Sequence, residues 1–443
     1  MVTTADNVLL ALYTLLWVIS FIVYHYRNRH IDGGSAVMAS YIAYCFFSFI
    51  TLNDEFFGSL NELLFDSTYE QLRLFPFIYL YVMLMLALSP AIKLHYSPVI
   101  KIKDPHSKAL LIPCFVTILC IIVQLPSILS NFNSNFVSLL TDIDAGNEAY
   151  LDAFENAESV GIAIRNLPAV LFNMLYDCTV FIFFFLLTRK DKNVIFLVVL
   201  FLAIVIGMII PVMDGQRGSV IKSGFTIVAG YMLFRKFISK RIDRIIQIAG
   251  IILTVIVAIP IIAITVSRFS DRKDSPDTSG YVYWYIGQAN IYFNNYALDA
   301  GGTRHGDRTF NFGKRLLFSD TPRNYTERRE KYSDLRIDDF CFTTFVGDFA
   351  IDFGPWGAFI IFVVFNGWAL LQIRPRYGII ELHQLLLVYF ALCVSLQGGM
   401  TLFMYSDTGN LGVGVMILLY IWLRNHEAHN YYLGCHRTIY GKW

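Results

Sequence analysis

Charge is scarce in this sequence. Only 16% of the 443 residues are Asp, Glu, Lys or Arg, against about 25% in an ordinary soluble protein, while 56% are hydrophobic. So few charges cannot cover a water-facing surface, which excludes the soluble globular class. Cysteine motifs are also missing: Cys45, Cys114, Cys120, Cys178, Cys341, Cys393 and Cys435 lie mostly inside apolar runs and no CxxC occurs. They read as small core residues, so neither a metal site nor a disulfide framework is expected. No GxxxxGK[ST] or dinucleotide fingerprint is present, and the inner connectors are too short for a nucleotide-binding domain. Any reaction then has to use a substrate that arrives already activated, with no cofactor and no nucleic-acid partner. The first apolar run lacks a basic segment before it and a small-residue cleavage site after it, so it is expected to be retained. Neither an internal repeat nor a matched pair of broken helices appears, which argues against an inverted-repeat transporter.

What the chain does have is long apolar runs. A bilayer core needs roughly 20 apolar residues in helical form. Eleven runs qualify, at about 8–26, 36–52, 72–88, 109–129, 167–187, 194–213, 220–234, 245–266, 355–371, 379–397 and 411–423. The expected fold class is an all-α polytopic integral membrane protein with about 11 transmembrane helices and one large extracytoplasmic loop. The connectors RNRH, 93–108, 189–192, 235–244, 374–376 and the tail from Arg424 are basic. They alternate with acidic or polar connectors at 53–66, 141–158, 214–218, 268–353 and near Asp407. Basic connectors stay on the cytoplasmic side, so the amino terminus is expected outside and the carboxyl terminus inside. Three divisions follow: 1–267 with eight helices and short loops, 268–353 as the extracytoplasmic loop, and 354–443 with three helices and a cytoplasmic tail. Parity requires that 340–353 not span, so it is read as an amphipathic or re-entrant entry to the helix opened by Pro355.

The polar stretch 268–353 carries most of the candidate chemistry. At 213–219, MDGQRGS precedes a helix, whose unpaired N–H groups together with the Arg217 fork suit phosphate oxygens. The alternative is a tight turn in which Arg217 pairs with Asp214 or snorkels. The segment 303–331 gathers Arg304, Arg308, Lys314, Arg315, Arg323, Arg328, Arg329 and Lys331 with His305, against Asp307, Asp320, Glu327 and Glu330. That excess suits a diphosphate, an acidic sugar or an anionic headgroup, and the competing reading is a solvated loop with local ion pairs. His305 is a candidate general base or a structural hydrogen-bonding residue. In 281–296, Tyr281, Trp284 and Tyr285 offer faces for sugar stacking, while Gln288, Asn290, Asn294 and Asn295 offer hydroxyl partners. The same aromatics also suit a membrane interface. Asp348 and Asp352 stand four apart, on one face if helical. As carboxylates partly withdrawn from water they suit general-base work, with Asp338 and Asp339 as competitors and helix capping or arginine pairing as the structural alternative. Asp177 stands nearly alone inside an apolar run and is expected to partner a buried cation.

The GQRG turn opening a helix, the YIGQANIYFNN and TRHGDRTF segments and the GDFAIDFGPWG helix entry resemble bacterial oligosaccharide repeat-unit polymerases of the Wzy type. That resemblance implies a glycosyltransferase of the O-antigen or capsule pathway in the bacterial inner membrane, with its working face periplasmic. It would move a growing glycan from one undecaprenyl diphosphate to the terminal sugar of another lipid-linked repeat unit. Arg217 with one or more of Arg304, Arg308 and Arg315 would hold the diphosphate. Asp348 or Asp352, or else Asp339 or His305, would take the acceptor proton, and Gln216, Tyr281, Trp284, Tyr285 and Gln288 would meet the sugars. Membrane lipids and a chain-length regulator are the further partners implied. One departure is that the glycines after Arg217 fall at 218, 224 and 230 and do not reproduce an R-x10-G loop motif. An O-antigen ligase and a flippase or other transporter of lipid-linked sugars are the alternatives.

Overall fold

The computed structural model describes residues 2–27, 29–54, 57, 70–105, 107–131, 167–213, 216–270 and 278–440. The acidic stretch 141–158, most of 53–66, and Asp214 with its possible pairing to Arg217 lie outside the described residues. Without water to satisfy them, backbone N–H and C=O groups pair within the segment, and apolar runs therefore become helices. In chain order these are α1 (Thr4–Arg27), α2 (Gly33–Leu52), α3 (Leu74–His95), α4 (Ile112–Asn131), α5 (Leu167–Thr188), α6 (Val194–Met213) and α7 (Arg217–Phe234). There follow α8 (Lys240–Ser270), α9 (Thr278–Tyr292), α10 (Asn311–Leu317), α11 (Tyr325–Lys331), α12 (Thr344–Gln372), α13 (Leu382–Gln397) and α14 (Asp407–Tyr440).

Among the described residues, eight helices are long and apolar enough to cross a membrane: α1 to α6, α8 and α12. The other three expected spans form helices that fall short of that measure. α7 carries Arg217 and Lys222 in its first two turns, α13 has 16 residues, and in α14 only the short run 411–423 is strongly apolar. α5 is apolar all round and lies at the centre, with every residue from Leu175 to Leu187 buried. α8 instead exposes Ile248, Ile251, Ile252, Val255, Ile256 and Ile259, the surface of a helix that faces hydrocarbon.

The basic connectors meet at one end of the bundle. There Arg189 pairs with Asp104 (3.0 Å) and Lys103 with Glu381 (2.7 Å). A two-residue parallel ladder, β1 (Lys101–Ile102) with β2 (Ile379–Ile380), ties two of the connectors together. The polar stretch 298–343 gathers at the opposite end. α9 reaches it along α2, whose Ser48 and Thr51 hydroxyls donate to the carbonyls of Gly287 and Tyr283 at 2.7 Å. A Cβ on Gly287 would stand 2.5 Å from the Phe47 carbonyl oxygen, so this close approach needs glycine. After a π-helical turn at Phe293–Ala297, the Asn294 side chain bonds both the N–H and the carbonyl of Arg73.

α12 begins inside the bundle. Thr344 lies beside Tyr44, Asn290 and Gly399, and the N–H groups of Thr344 and Phe345 donate to the carbonyls of Met400 and Gly398. Helix therefore starts eleven positions ahead of Pro355, and residues 344–353 rise from the interior to a kink. Gly354 makes that kink with φ +72°. Beyond it α12 runs back along α3, held by the Tyr79 hydroxyl to the Pro355 carbonyl (2.6 Å) and by Lys93 Nζ to the Leu370 carbonyl.

Candidate functional site

Asp348 and Asp352 occupy successive turns of the rising half of α12, one face apart by the four-residue spacing. Opposite them, the loop between α9 and α10 presents Arg304 and Arg308, likewise four apart, and α11 adds Arg328. Asp339, five residues before α12, lies among all three arginines. All six side chains are at most 6% exposed.

Asp339 is the hub of this network. One of its carboxylate oxygens accepts from Arg304 and from Arg308 Nη1 (2.9 Å), and the other accepts from Arg328 Nε. Burial alone would raise its pKa, but Arg308, Arg304 and Arg328 together hold the carboxyl well below the usual carboxylate range. The reciprocal effect acts on Arg308: burial opposes its charge, and Asp348 and Asp339 outweigh burial and raise its pKa. Asp352 is saturated. Its Oδ1 accepts from Arg304 Nε (2.8 Å), and its Oδ2 accepts from the Thr309 N–H (2.7 Å) and hydroxyl.

Asp348 is arranged differently. Its Oδ2 accepts from the Thr401 hydroxyl (3.0 Å) and the Leu402 N–H (2.7 Å). Its Oδ1 lies 3.3 Å from Arg308 Nε, yet accepts no hydrogen bond among the described residues. One lone-pair-bearing oxygen is thus held in a fixed position with capacity to accept a proton. Arg308 is clamped by Thr401 (2.9 Å) and stacks over the Tyr405 ring, 4.8 Å from its centroid.

An apolar cavity of about 330 Å³ opens directly against this network. Thr309 and Leu402, which hold Asp352 and Asp348, are also part of its wall. Phenylalanines, including Phe310, Phe345, Phe349 and Phe362, share the rest with aliphatic residues, Met404, Asn366 and Asn410.

The remaining candidates fall around the network rather than in it. Arg217 is buried and stacks on Tyr285, 5.2 Å from its centroid. Tyr285 in turn meets Phe342 edge-on, and the Phe342 N–H donates to Gln288 (3.0 Å). Gln216 accepts from Ser219 at the start of α7. Trp284 donates to the Tyr292 hydroxyl and touches Tyr281 edge-on, so the aromatic run is packed into the fold. Arg315 is bound to Asp407 and the Arg323 carbonyl, away from the three central arginines. His305 is exposed, with φ +52°, and contacts Thr303. Asp307 forms a second cluster with Lys314, Lys331 and Tyr332; burial raises its pKa, but those partners bring it below the ordinary value. Asp177 accepts from the Thr226 hydroxyl (3.1 Å), which also bonds Gln397.

The expected charge excess in 303–331 is therefore absorbed. Arg304, Arg308 and Arg328 face Asp339, Asp348 and Asp352, three against three. Sequence reasoning named Arg328 only as one member of the basic segment and did not select Thr309, Thr401, Leu402 or Tyr405. The legible signal was TLFMYS at 401–406, a turn between apolar runs with hydroxyl and aromatic groups that such a turn does not require. Comparison of the chain with protein-family models, with characterised proteins and with solved structures found no match.

Proposed function

We propose that this chain is a membrane glycosyltransferase that polymerises lipid-linked oligosaccharide repeat units. One observation carries the reading: a buried carboxylate with a hydrogen-bond-free oxygen lies beside paired arginines and is held by Leu402, whose other side is wall of an apolar cavity. A polyprenyl diphosphate sugar is one amphiphile that needs all three, a dry slot for its chain, cations near its diphosphate and a base at the sugar. In this reading α7, α13 and α14 complete eleven spans. α7 supports that count, because its 18 residues make about 27 Å of helix, close to the roughly 30 Å hydrocarbon core. The basic end then faces the cytoplasm and the network faces the periplasm of a bacterial inner membrane.

Asp348 Oδ1 is the base in this scheme. An acceptor hydroxyl gives its proton to that oxygen while its own oxygen bonds to the anomeric carbon of the donor sugar. The bond from that carbon to the diphosphate breaks, and the electron pair leaves with the diphosphate. Asp352 and Asp339 position the arginines, since their oxygens are committed to them. Arg217, buried against Tyr285, is the further cation proposed to meet the diphosphate. Arg304 and Arg308 contribute only by exchanging a carboxylate oxygen for a phosphate oxygen, and removing a buried partner is costly.

The test uses the purified full chain in detergent with a lipid-diphosphate repeat unit, products being resolved on a gel. A ladder of products that Asp348→Asn reduces at least about 100-fold per mole of folded protein is the expected result. Translocation of labelled lipid across a vesicle bilayer with no ladder would replace the polymerase by a transporter.

A further inference from the structure

We propose that a second site, at the basic end of the bundle and independent of the reading above, binds the headgroup of an anionic phospholipid. A cleft of about 730 Å³ opens there between the α1–α2 connector, the segment after α3 and the α7–α8 connector. Four cationic side chains line it, Arg29, Arg235, Lys236 and Lys240, together with His30 and His95.

The two carboxylates in the cleft are already engaged. Asp32 caps α2 and accepts from Tyr24 (2.9 Å), from the Ser35 N–H (3.1 Å) and from the buried His95, whose Nδ1 is 2.6 Å away. Asp243 accepts from Tyr231 (2.6 Å) and faces Arg235 at 3.5 Å. Arg29, Lys236 and Lys240 have no carboxylate within ion-pair distance among the described residues. The rim of the cleft therefore carries a net positive charge, which attracts an anion.

Its deeper wall decides which anion. Leu94, Met232, Leu233, Val388 and Leu392 form an apolar floor beneath the cationic rim, and Ile100 at the edge is 82% exposed. A hydrated inorganic ion gains nothing from such a floor, whereas the glycerol and upper acyl carbons of a lipid bury against it. Basic pockets between helices on the cytoplasmic side suit this class of ligand, and the connectors that make this one are the basic ones.

The chemistry recognised is a phosphate with an attached apolar stem. The experiment is a thermal-unfolding titration of the purified full chain in neutral detergent with phosphatidylglycerol, phosphatidylcholine or inorganic phosphate. Phosphatidylglycerol is expected to raise the midpoint saturably, the other two not. Lys236→Glu with Lys240→Glu should weaken that response tenfold or more, roughly, while the double arginine variant keeps it. If the double glutamate protein does not fold, Lys236→Gln with Lys240→Gln gives the same comparison. An equal response to phosphatidylcholine, or undiminished affinity in the charge-changed variant, overturns the proposal. Saturation by inorganic phosphate with the same lysine dependence would keep the anion site and reject the lipid as its source.

Discussion

Among the single residues, Asp339 and Asp348 separate structure from chemistry. Removing the hub charge with Asp339→Asn leaves three buried guanidinium groups short of a partner, and a broken buried pair costs roughly 3–5 kcal/mol. We expect a lower unfolding midpoint in detergent and reduced yield. The pH dependence has a definite sign. The folded pKa of Asp339 is depressed, so its stabilisation is present above the unfolded value of about 3.9. It declines as the pH falls from there toward the lower folded value. Acid titration should therefore cost the wild type stability below about pH 4, and the Asp339→Asn protein less; equal slopes would remove Asp339 from the account. Asp348→Asn should cost folding as well, because buried Arg308 loses one of the two carboxylates that face it, but product formation should fall further, since Thr401 and Leu402 can still bond the amide oxygen. The acids and arginines were all legible as residue types in the sequence. Their pairing was not, because Arg304 reaches Asp352 across 48 positions and Leu402 reaches Asp348 across 54, and no local spacing encodes that.

For the helices, apolar run length predicted those that are long and apolar, and it failed where a helix is held by its neighbours. α7 and α13 are stabilised by packing against each other and α5, so they need neither the length nor the uniform apolarity of an isolated span. The start of α12 was legible as an amphipathic or re-entrant entry over 340–353, but not the contacts that anchor it. Pro355 signals a helix beginning, yet ten residues before it are already helical because Met400 and Gly398 supply carbonyls to their first N–H groups. Gly354 reconciles the two halves. A Cβ there would meet only Thr303, at 3.9 Å, so Gly354→Ala meets no clash and bears the left-handed backbone penalty alone. With ψ at 161° this is backbone essentially reserved to glycine, so we expect a loss of about 1–3 kcal/mol and a fall in activity, read from the unfolding midpoint and a product assay. Gly287→Ala should be worse for folding, since the Phe47 backbone cannot give way; a normal yield of that variant would show that α9 can stand off α2.

Taken as a whole molecule, the bundle is polarised, with basic connectors and their cleft at one end and the Arg–Asp network at the other. Labelling from each side checks the expected orientation. Six of the cysteines are buried, so with Cys435 replaced the background should react little with a membrane-impermeant maleimide. Cysteine introduced at Lys240 should label only when the cytoplasmic face is opened, and one at Leu316, which is 71% exposed, should label in intact cells. Labelling of both from the same side would undo the alternation argument.

The network also bears on how the protein is made. Arg304 and Arg308 leave the ribosome first, then Arg328, Asp339, Asp348 and Asp352, and the clamp from Thr401 and Leu402 comes only with the hairpin between α13 and α14. Until that hairpin is in place, Asp348 lacks the donors to Oδ2 and Arg308 lacks both its hydroxyl and its tyrosine ring. Insertion of the earlier helices can thus be complete while the charged layer is still unsealed. A chain ending before residue 401 would keep its arginine–aspartate pairings but leave Asp348 Oδ2 and the Arg308 fork without these partners, so the final two helices are what complete the charged layer.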